Sequence, residues 1–315
     1  MINGIKHLPP PLVALAIILT GLALAAPVEV GDVNWGRDLD RAVTQSRQAG
    51  KPILILFQEV PGCSGCQAFG KNVLTDPLLV EAIETEFVPL LVHNNTGSKD
   101  AKVLKQFGEP AWNYQVIRFF TADLGEIIPR KDRVWSLAGV ARRMVLALDQ
   151  EGEKIPLYLK SLADLSDTEH HKEALFAMAC FWVGEFELGK LPGVVKTEAG
   201  WYDGREVTRV TYHTQHTAIA QLITQAARVQ CAQKVYLPPG TQAPDTRISV
   251  GIFKEQGYKK ARESDQKKQI QNWKALKRVP NLNPMQLTRI NAWAPISRRE
   301  ALEWLSPRQR ESLGQ

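Results

Sequence analysis

Ile53-Leu54-Ile55-Leu56-Phe57-Gln58-Glu59-Val60-Pro61-Gly62-Cys63-Ser64-Gly65-Cys66 is the stretch that decides how this chain reads. The apolar run from Ile53 to Phe57 suits a strand covered on both faces. Pro61-Gly62 then gives a tight approach to two cysteines two residues apart. Phe69, Val73 and Leu74 follow at helical spacing. Cys63 thereby falls at a helix start, where unpaired backbone N–H groups and the macrodipole favour an anion. Cys63 is the expected attacking thiolate. Cys66, one turn deeper, is expected to resolve a mixed disulfide by attacking the sulfur of Cys63.

Working outward, Asn34 to Gly50 has helical spacing, with Trp35, Leu39, Ala42 and Val43 on one face and Gly50 as the stop. Beyond the cysteines come a short helix after Pro77, a buried strand over Phe87–Val92 and a loop at Asn94–Gly97. A hairpin of Val116–Phe120 with Glu126–Ile128 and an amphipathic helix over Val134–Leu148 complete the unit. Cys-x-x-Cys at a strand-to-helix junction in such a unit reads as a redox motif. Residues 33–150 therefore resemble the thioredoxin superfamily, in particular the branch with a Trp…Ala…Gly-Lys-Pro lead-in, here Trp35, Ala42 and Gly50-Lys51-Pro52. Val60-Pro61-Gly62-Cys63 is also similar to a thioredoxin-like group with selenocysteine-containing members. The resemblance implies a cis-proline beside the substrate groove. Counting back from Phe120 puts Gln115 at that place, and the nearest proline is Pro110.

A structural disulfide and half of a zinc site are the other readings of the pair. Zinc needs about four ligands, and no second Cys-x-x-Cys or close histidine pair follows; His93 is a lone candidate. His213 and His216 could share a helix face, but no third ligand has matching spacing, so they read as satisfied polar residues. No metal and no cofactor is expected.

Leu12 to Ala26 is an uncharged apolar run ending in small residues, the pattern of a signal peptide over residues 1–26, cleaved or kept as an anchor. Either form places the rest outside the cytosol, periplasmic or anchored facing the periplasm. The 315 residues suffice for two domains. The net charge of +6 owes much to Lys254–Arg278, which reads as a solvated helical face. With export, this argues against a nucleic-acid partner and leaves an anionic membrane surface open. Four cysteines, Cys63, Cys66, Cys180 and Cys231, are too few for a disulfide scaffold.

A connector over residues 151–172 leads to a second unit, 173–250, and a basic extension, 251–315. Ala174–Ala179 is strand-like and runs into Cys180-Phe181-Trp182-Val183-Gly184-Glu185. Leu191-Pro192-Gly193-Val194-Val195-Lys196-Thr197 and Gly200-Trp201-Tyr202-Asp203-Gly204 follow. Together these resemble methionine sulfoxide reductase A. The resemblance implies that Cys180 attacks the sulfoxide sulfur and that Phe181 and Trp182 form the wall receiving the methyl group. Glu185 and Tyr202 join the substrate site. Ala179 and Val183 replace motif glycines, and Trp201 replaces the turn tyrosine. The family's Gly-His-Ala-Glu segment matches best at Gln215-His216-Thr217-Ala218, which puts Ala218 in place of the general acid and leaves Glu185, His216 or Tyr202 as substitutes. Cys231, in a helical stretch over Thr217–Ala232, is a possible resolving cysteine or a buried helix residue. Short helices are expected over Met285–Ala292 and Arg298–Leu305, without chemistry.

The expected fold class is α/β: a thioredoxin-like domain followed by a smaller α+β domain resembling methionine sulfoxide reductase A. The expected function is an exported thiol–disulfide reductase acting on oxidised protein thiols. It could also feed Cys180 for the reduction of methionine sulfoxide in proteins. An upstream, membrane-bound thiol reductant would recharge it. A non-catalytic second domain, a metal-handling thiol protein and a peroxidase using Cys63 remain alternatives.

Overall fold

The computed structural model describes residues 27–97, 99–111 and 115–314; the expected signal segment, residues 1–26, lies outside them. The first layered unit begins with α1 (Leu39–Ala49), capped by the Asp38 side chain and stopped by Gly50 in the left-handed conformation. The expected helix began earlier, at Asn34; the cap fixes the start at Asp38. Then come β1 (Ile53–Gln58), α2 (Ser64–Asn72), α3 (Pro77–Glu86), β2 (Val88–His93), α4 (Lys99–Phe107), β3 (Gln115–Phe120), α5 (Leu137–Gln150) and α6 (Leu157–Ser166). β1 is central, parallel to β2 and antiparallel to β3.

Every residue of β1 is buried, and its alternation feeds two cores. Leu54 and Leu56 pack with α2, α3, α5 and α6, while Ile53, Ile55 and Phe57 pack with α1 and α4. A strand covered on both faces has no polar side, which is why the sequence run is continuously apolar. The expected hairpin is reduced to one bridge, Phe120–Glu126, with Thr121 N–H donating to Gly125 C=O. Arg118 reaches from β3 to Glu126 and to buried Glu109, so side-chain ion pairs hold a return that carries little ladder.

The second unit comprises β4 (His171–Ala177), α7 (Phe181–Leu188), β5 (Val194–Tyr202), β6 (Arg205–His213), α8 (Ile219–Arg228), β7 (Lys234–Leu237), β8 (Ser249–Ile252), β9 (Lys259–Lys260), α9 (Asp265–Asn272), α10 (Pro284–Trp293), α11 (Arg298–Leu302) and α12 (Pro307–Glu311). Its six-stranded sheet has the order β8-β7-β4-β6-β5-β9. Residues 251–315, expected as an extension, are built into this unit. β8 and β9 pair with the sheet, and the buried Arg289 of α10 donates to the carbonyls of Gly189, Leu191 and Val194. The chain end then returns to the first unit, where Ser306 Oγ and Arg308 N–H donate to buried Glu81. Buried carbonyls and a buried carboxylate need donors, and this tail supplies them; its basic composition gave no sign of that role.

Among the described residues, no helix is long and apolar enough to cross a membrane.

Candidate functional site

β1 ends at Gln58, and the chain turns through Glu59 to Gly62 before α2 opens with Cys63 as its N-cap. The turn is clamped from both sides. Gly62 N–H donates to Glu29 Oε1 at 2.9 Å, Asn95 Nδ2 donates to Pro61 C=O at 3.0 Å, and Val60 N–H donates to Asn95 Oδ1 at 3.2 Å. The Val60–Pro61 peptide bond is cis. Gly62 is required by space: a Cβ there would lie 2.4 Å from Glu59 O and 2.6 Å from Cys66 Cβ.

Cys63 Sγ and Cys66 Sγ are 3.3 Å apart, both thiols free, the first partly exposed and the second fully buried. Burial first, and then the adjacent Cys63 sulfur, pushes the Cys66 thiol up to about 12. Around it lie two groups that sequence reasoning did not assign a role. Glu59 Oε2 is 3.9 Å and Gln115 Oε1 3.6 Å from Cys66 Sγ. Gln115 does stand where the count back from Phe120 put it, at the groove. Glu59 carried no signal beyond its closeness to the cysteines.

Beside Cys63 runs an apolar groove of about 400 Å³, lined by Cys63, Ala68, Phe69, Val73, Gln115 and Trp135. Trp135 is 47% exposed at its rim. An exposed thiol at a helix start, a buried thiol in contact with it and an apolar channel alongside can take up an extended peptide and exchange a disulfide with it. Glu59, Cys63 and Cys66 also bring three ligating atoms within 4.8 Å of one another; His93 belongs to no such group among the described residues.

The three-stranded sheet and the helix-capping dithiol define a thioredoxin-like domain. Residues 34–122 match the family model described as Thioredoxin-like. A solved structure titled DsbH Oxidoreductase is similar at 16% identity over 41% of this chain and 92% of that chain, with a TM-score of 0.32. No curated protein matches the chain.

In the second unit, Cys180 is partly exposed and caps the N-terminus of α7. The strand ladder sorts the residues expected around it. Ala177 pairs with Val207 at one end of β4–β6, and His171 pairs with His213 at the other. At about 3.3 Å per residue, six residues put those ends about 20 Å apart. Cys180 follows Ala177, so His213 and the Gln215–Ala218 segment stand at the far end from it. His216 is held there by Asp164 at 3.0 Å. The carboxylate at the near end is Glu206. Its Oε2 accepts from Phe181 N–H at 2.8 Å, one residue from Cys180, and its C=O accepts from Met178 N–H. Glu206 was missed because the best-matching tetrapeptide, Gln215–Ala218, begins nine residues later in sequence.

Side-chain alternation along β5 sets which residues stand beside Phe181. Ala199 and Trp201 share a face, with Ala199 in the cluster that holds Phe181 and Trp182; Trp201 meets Phe181 edge-on at 5.6 Å. Tyr202 points the other way, packs on Tyr236 and Phe253, donates to Ile252 C=O and accepts from Lys254 N–H. It is a strand pin; Trp201 takes the place beside Phe181. Glu185 is 1% exposed and accepts from Ala199 N–H and Asp265 N–H, tying α7 to β5 and α9. Burial raises its carboxyl to about 7.

Cys231 lies after α8, which stops at Arg228, in a turn where its N–H donates to Ala226 C=O. It is buried in the cluster that contains Met178, next to the strand end before Cys180, and burial lifts its thiol to about 11.

Proposed function

We propose that this chain is an exported thiol–disulfide reductase whose working pair is Cys63 and Cys66. The observation that carries the reading is the 3.3 Å contact between a partly exposed helix-capping thiol and a fully buried one, at the end of an apolar groove. In the cycle, Cys63 thiolate attacks one sulfur of a protein disulfide, and the other sulfur leaves as thiolate. Cys66 then loses its proton, attacks Cys63 Sγ and expels the second substrate thiol, leaving a Cys63–Cys66 disulfide. Two electrons have passed to the substrate, and an external dithiol, held in the membrane, restores the pair. Export rests on the apolar segment ending at Ala26.

The test is trapping. Cys66→Ser should accumulate mixed disulfides with oxidised peptides, resolved on non-reducing gels, and Cys63→Ser should accumulate none. Equal trapping by both variants, or by neither, would falsify the assignment of attacking and resolving thiols.

Glu206 favours a second reading, in which the attached unit reduces methionine sulfoxide. Cys180 thiolate bonds to the sulfoxide sulfur while Glu206 protonates the oxygen, whose S–O bond breaks; the hydroxide so released attacks Cys180 Sγ, the bond between the two sulfurs breaks, and the thioether leaves Cys180 as a sulfenic acid. Cys231, or the Cys63–Cys66 pair, condenses with it, releasing water and forming a disulfide that the upstream dithiol reduces. Support comes from the carboxylate bonded at the residue next to Cys180, the aromatic pair Phe181–Trp201 beside it, and buried Cys231 nearby. Dithiothreitol-driven reduction of a methionine-(S)-sulfoxide peptide is expected for wild type and lost in Cys180→Ser and Glu206→Gln. No turnover in wild type leaves the second unit as a binding module.

A further inference from the structure

At the end of β4–β6 remote from Cys180, four of the chain's six histidines gather: His170, His171, His213 and His216. They surround two carboxylates from the end of α6, Asp164 and Asp167. His213 Nε2 is 3.1 Å from Asp167 Oδ2, His170 Nδ1 is 3.0 Å from Asp167 Oδ1, and His216 Nε2 is 3.0 Å from Asp164 Oδ1. His171 contributes a contact to the Asp164 backbone carbonyl at 2.7 Å. The ligating atoms of Asp164, His213 and His216 all lie within 4.8 Å of one another, as do those of Asp167, His170 and His213. His213 is common to both triads and 2% exposed.

We propose that this cluster is a binding site for one divalent transition-metal ion, with zinc as the fitting probe, held by Asp164, His213 and His216 and flanked by Asp167 and His170. Neutral imidazole and carboxylate are zinc donors, and at bond lengths of roughly 2.0–2.2 Å adjacent tetrahedral ligands sit about 3.4 Å apart. The histidine–carboxylate spacings are within a few tenths of that. The rings of His170, His213 and His216 stack at 5.5 and 4.3 Å, an arrangement that charging all three would oppose and a neutral donor set tolerates. His170 Nδ1, buried, has no aligned hydrogen-bond partner despite its closeness to Asp167.

Outer partners are already in place. Lys160 Nζ donates to Asp164 Oδ2, leaving Oδ1 for the ion, and Arg142 reaches Asp167 Oδ2 from α5 of the first unit. Such partners orient carboxylate ligands. Binding through Nε2 moves the His213 proton to Nδ1 and displaces the 3.3 Å contact from Gln215 N–H. A bound ion would fasten the end of the connector helix, where Asp164 sits, to the second sheet, which carries His213. The sequence reading rejected His213–His216 for want of a third ligand at matching spacing. The missing ligands come from α6, about fifty residues upstream.

The experiment uses the full chain carrying Cys63→Ser and Cys66→Ser, which removes the other such cluster among the described residues. The protein is loaded with zinc chloride, desalted and assayed for metal by atomic emission. About one zinc per chain is expected, falling at least about tenfold in His213→Ala and in His216→Gln. His216 is exposed at the rim, so its variant should keep the wild-type circular-dichroism melt even if the His213 variant unfolds. Less than a tenth of an equivalent retained by the parent overturns the site, as does full retention in a folded His216→Gln. The cluster would then be a hydrogen-bonded joint alone.

Discussion

Glu59→Gln is the sharpest probe of the dithiol chemistry. The Cys66 thiol, pushed up to about 12, is ionised in about one molecule in 100,000 at pH 7. A free thiol near 8.5 is ionised in about 3% at the same pH, so burial and the adjacent Cys63 sulfur together withhold most of the nucleophile. Loss of the Cys66 proton therefore limits resolution unless a base removes it. Glu59 Oε2 lies 3.9 Å away, and a positioned base contributes typically about 10²–10⁴-fold. Glutamine keeps the volume and removes the base. Resolution at pH 7 should fall by about 100-fold or more, with the attack by Cys63 unchanged. Rapid acid quenching during reduction of a fluorescent peptide disulfide would read this directly: the variant should accumulate mixed disulfide that wild type does not. Because the reactive thiolate appears as pH rises toward about 12, the gap between variant and wild type should narrow at alkaline pH. Overlapping time courses and pH profiles for the two proteins would refute the reasoning.

Glu185→Gln should change how stability depends on pH. Burial raises the carboxyl from 4.5 to about 7, so the fold prefers the neutral acid; that contribution is complete below pH 4.5 and is lost as pH rises through about 7. Between pH 5 and 8 wild type should lose about 2–3 kcal/mol relative to the variant, read from paired urea melts, and parallel curves would refute it. Gly62→Ala puts a Cβ 2.4 Å from Glu59 O and 2.6 Å from Cys66 Cβ. It should cost about 1–3 kcal/mol and depress peptide-disulfide turnover, whereas an unchanged melt and rate would show that the turn relaxes freely. Trp135→Ala strips the groove rim and should raise KM for a peptide disulfide about fivefold, from about 1 kcal/mol of lost apolar contact. KM for a small aliphatic disulfide should hold; equal effects on both would place Trp135 outside the peptide site.

The first unit was legible in sequence because its determinants are local. A five-residue apolar run, a Pro-Gly approach and a cysteine at a helix start each act through near neighbours, and together they place strand, turn and reactive thiol without tertiary information. Asp38 and Gly50, bounding α1, are local signals of the same kind. The second unit was legible only in its elements. Cys180 heads a helix, but its neighbours were decided by the β4–β6 register and the parity of β5. Those brought Glu206 and Trp201 to it and sent His216 and Tyr202 elsewhere. Register and parity convert a one-residue shift into an opposite face and a six-residue shift into about 20 Å, and a motif count along the chain carries neither. The sequence by itself thus determined the dithiol and the helix that it caps. Only the tertiary structure decided what surrounds each cysteine and which histidines and carboxylates meet, because those neighbours come from strands and helices far apart in the chain.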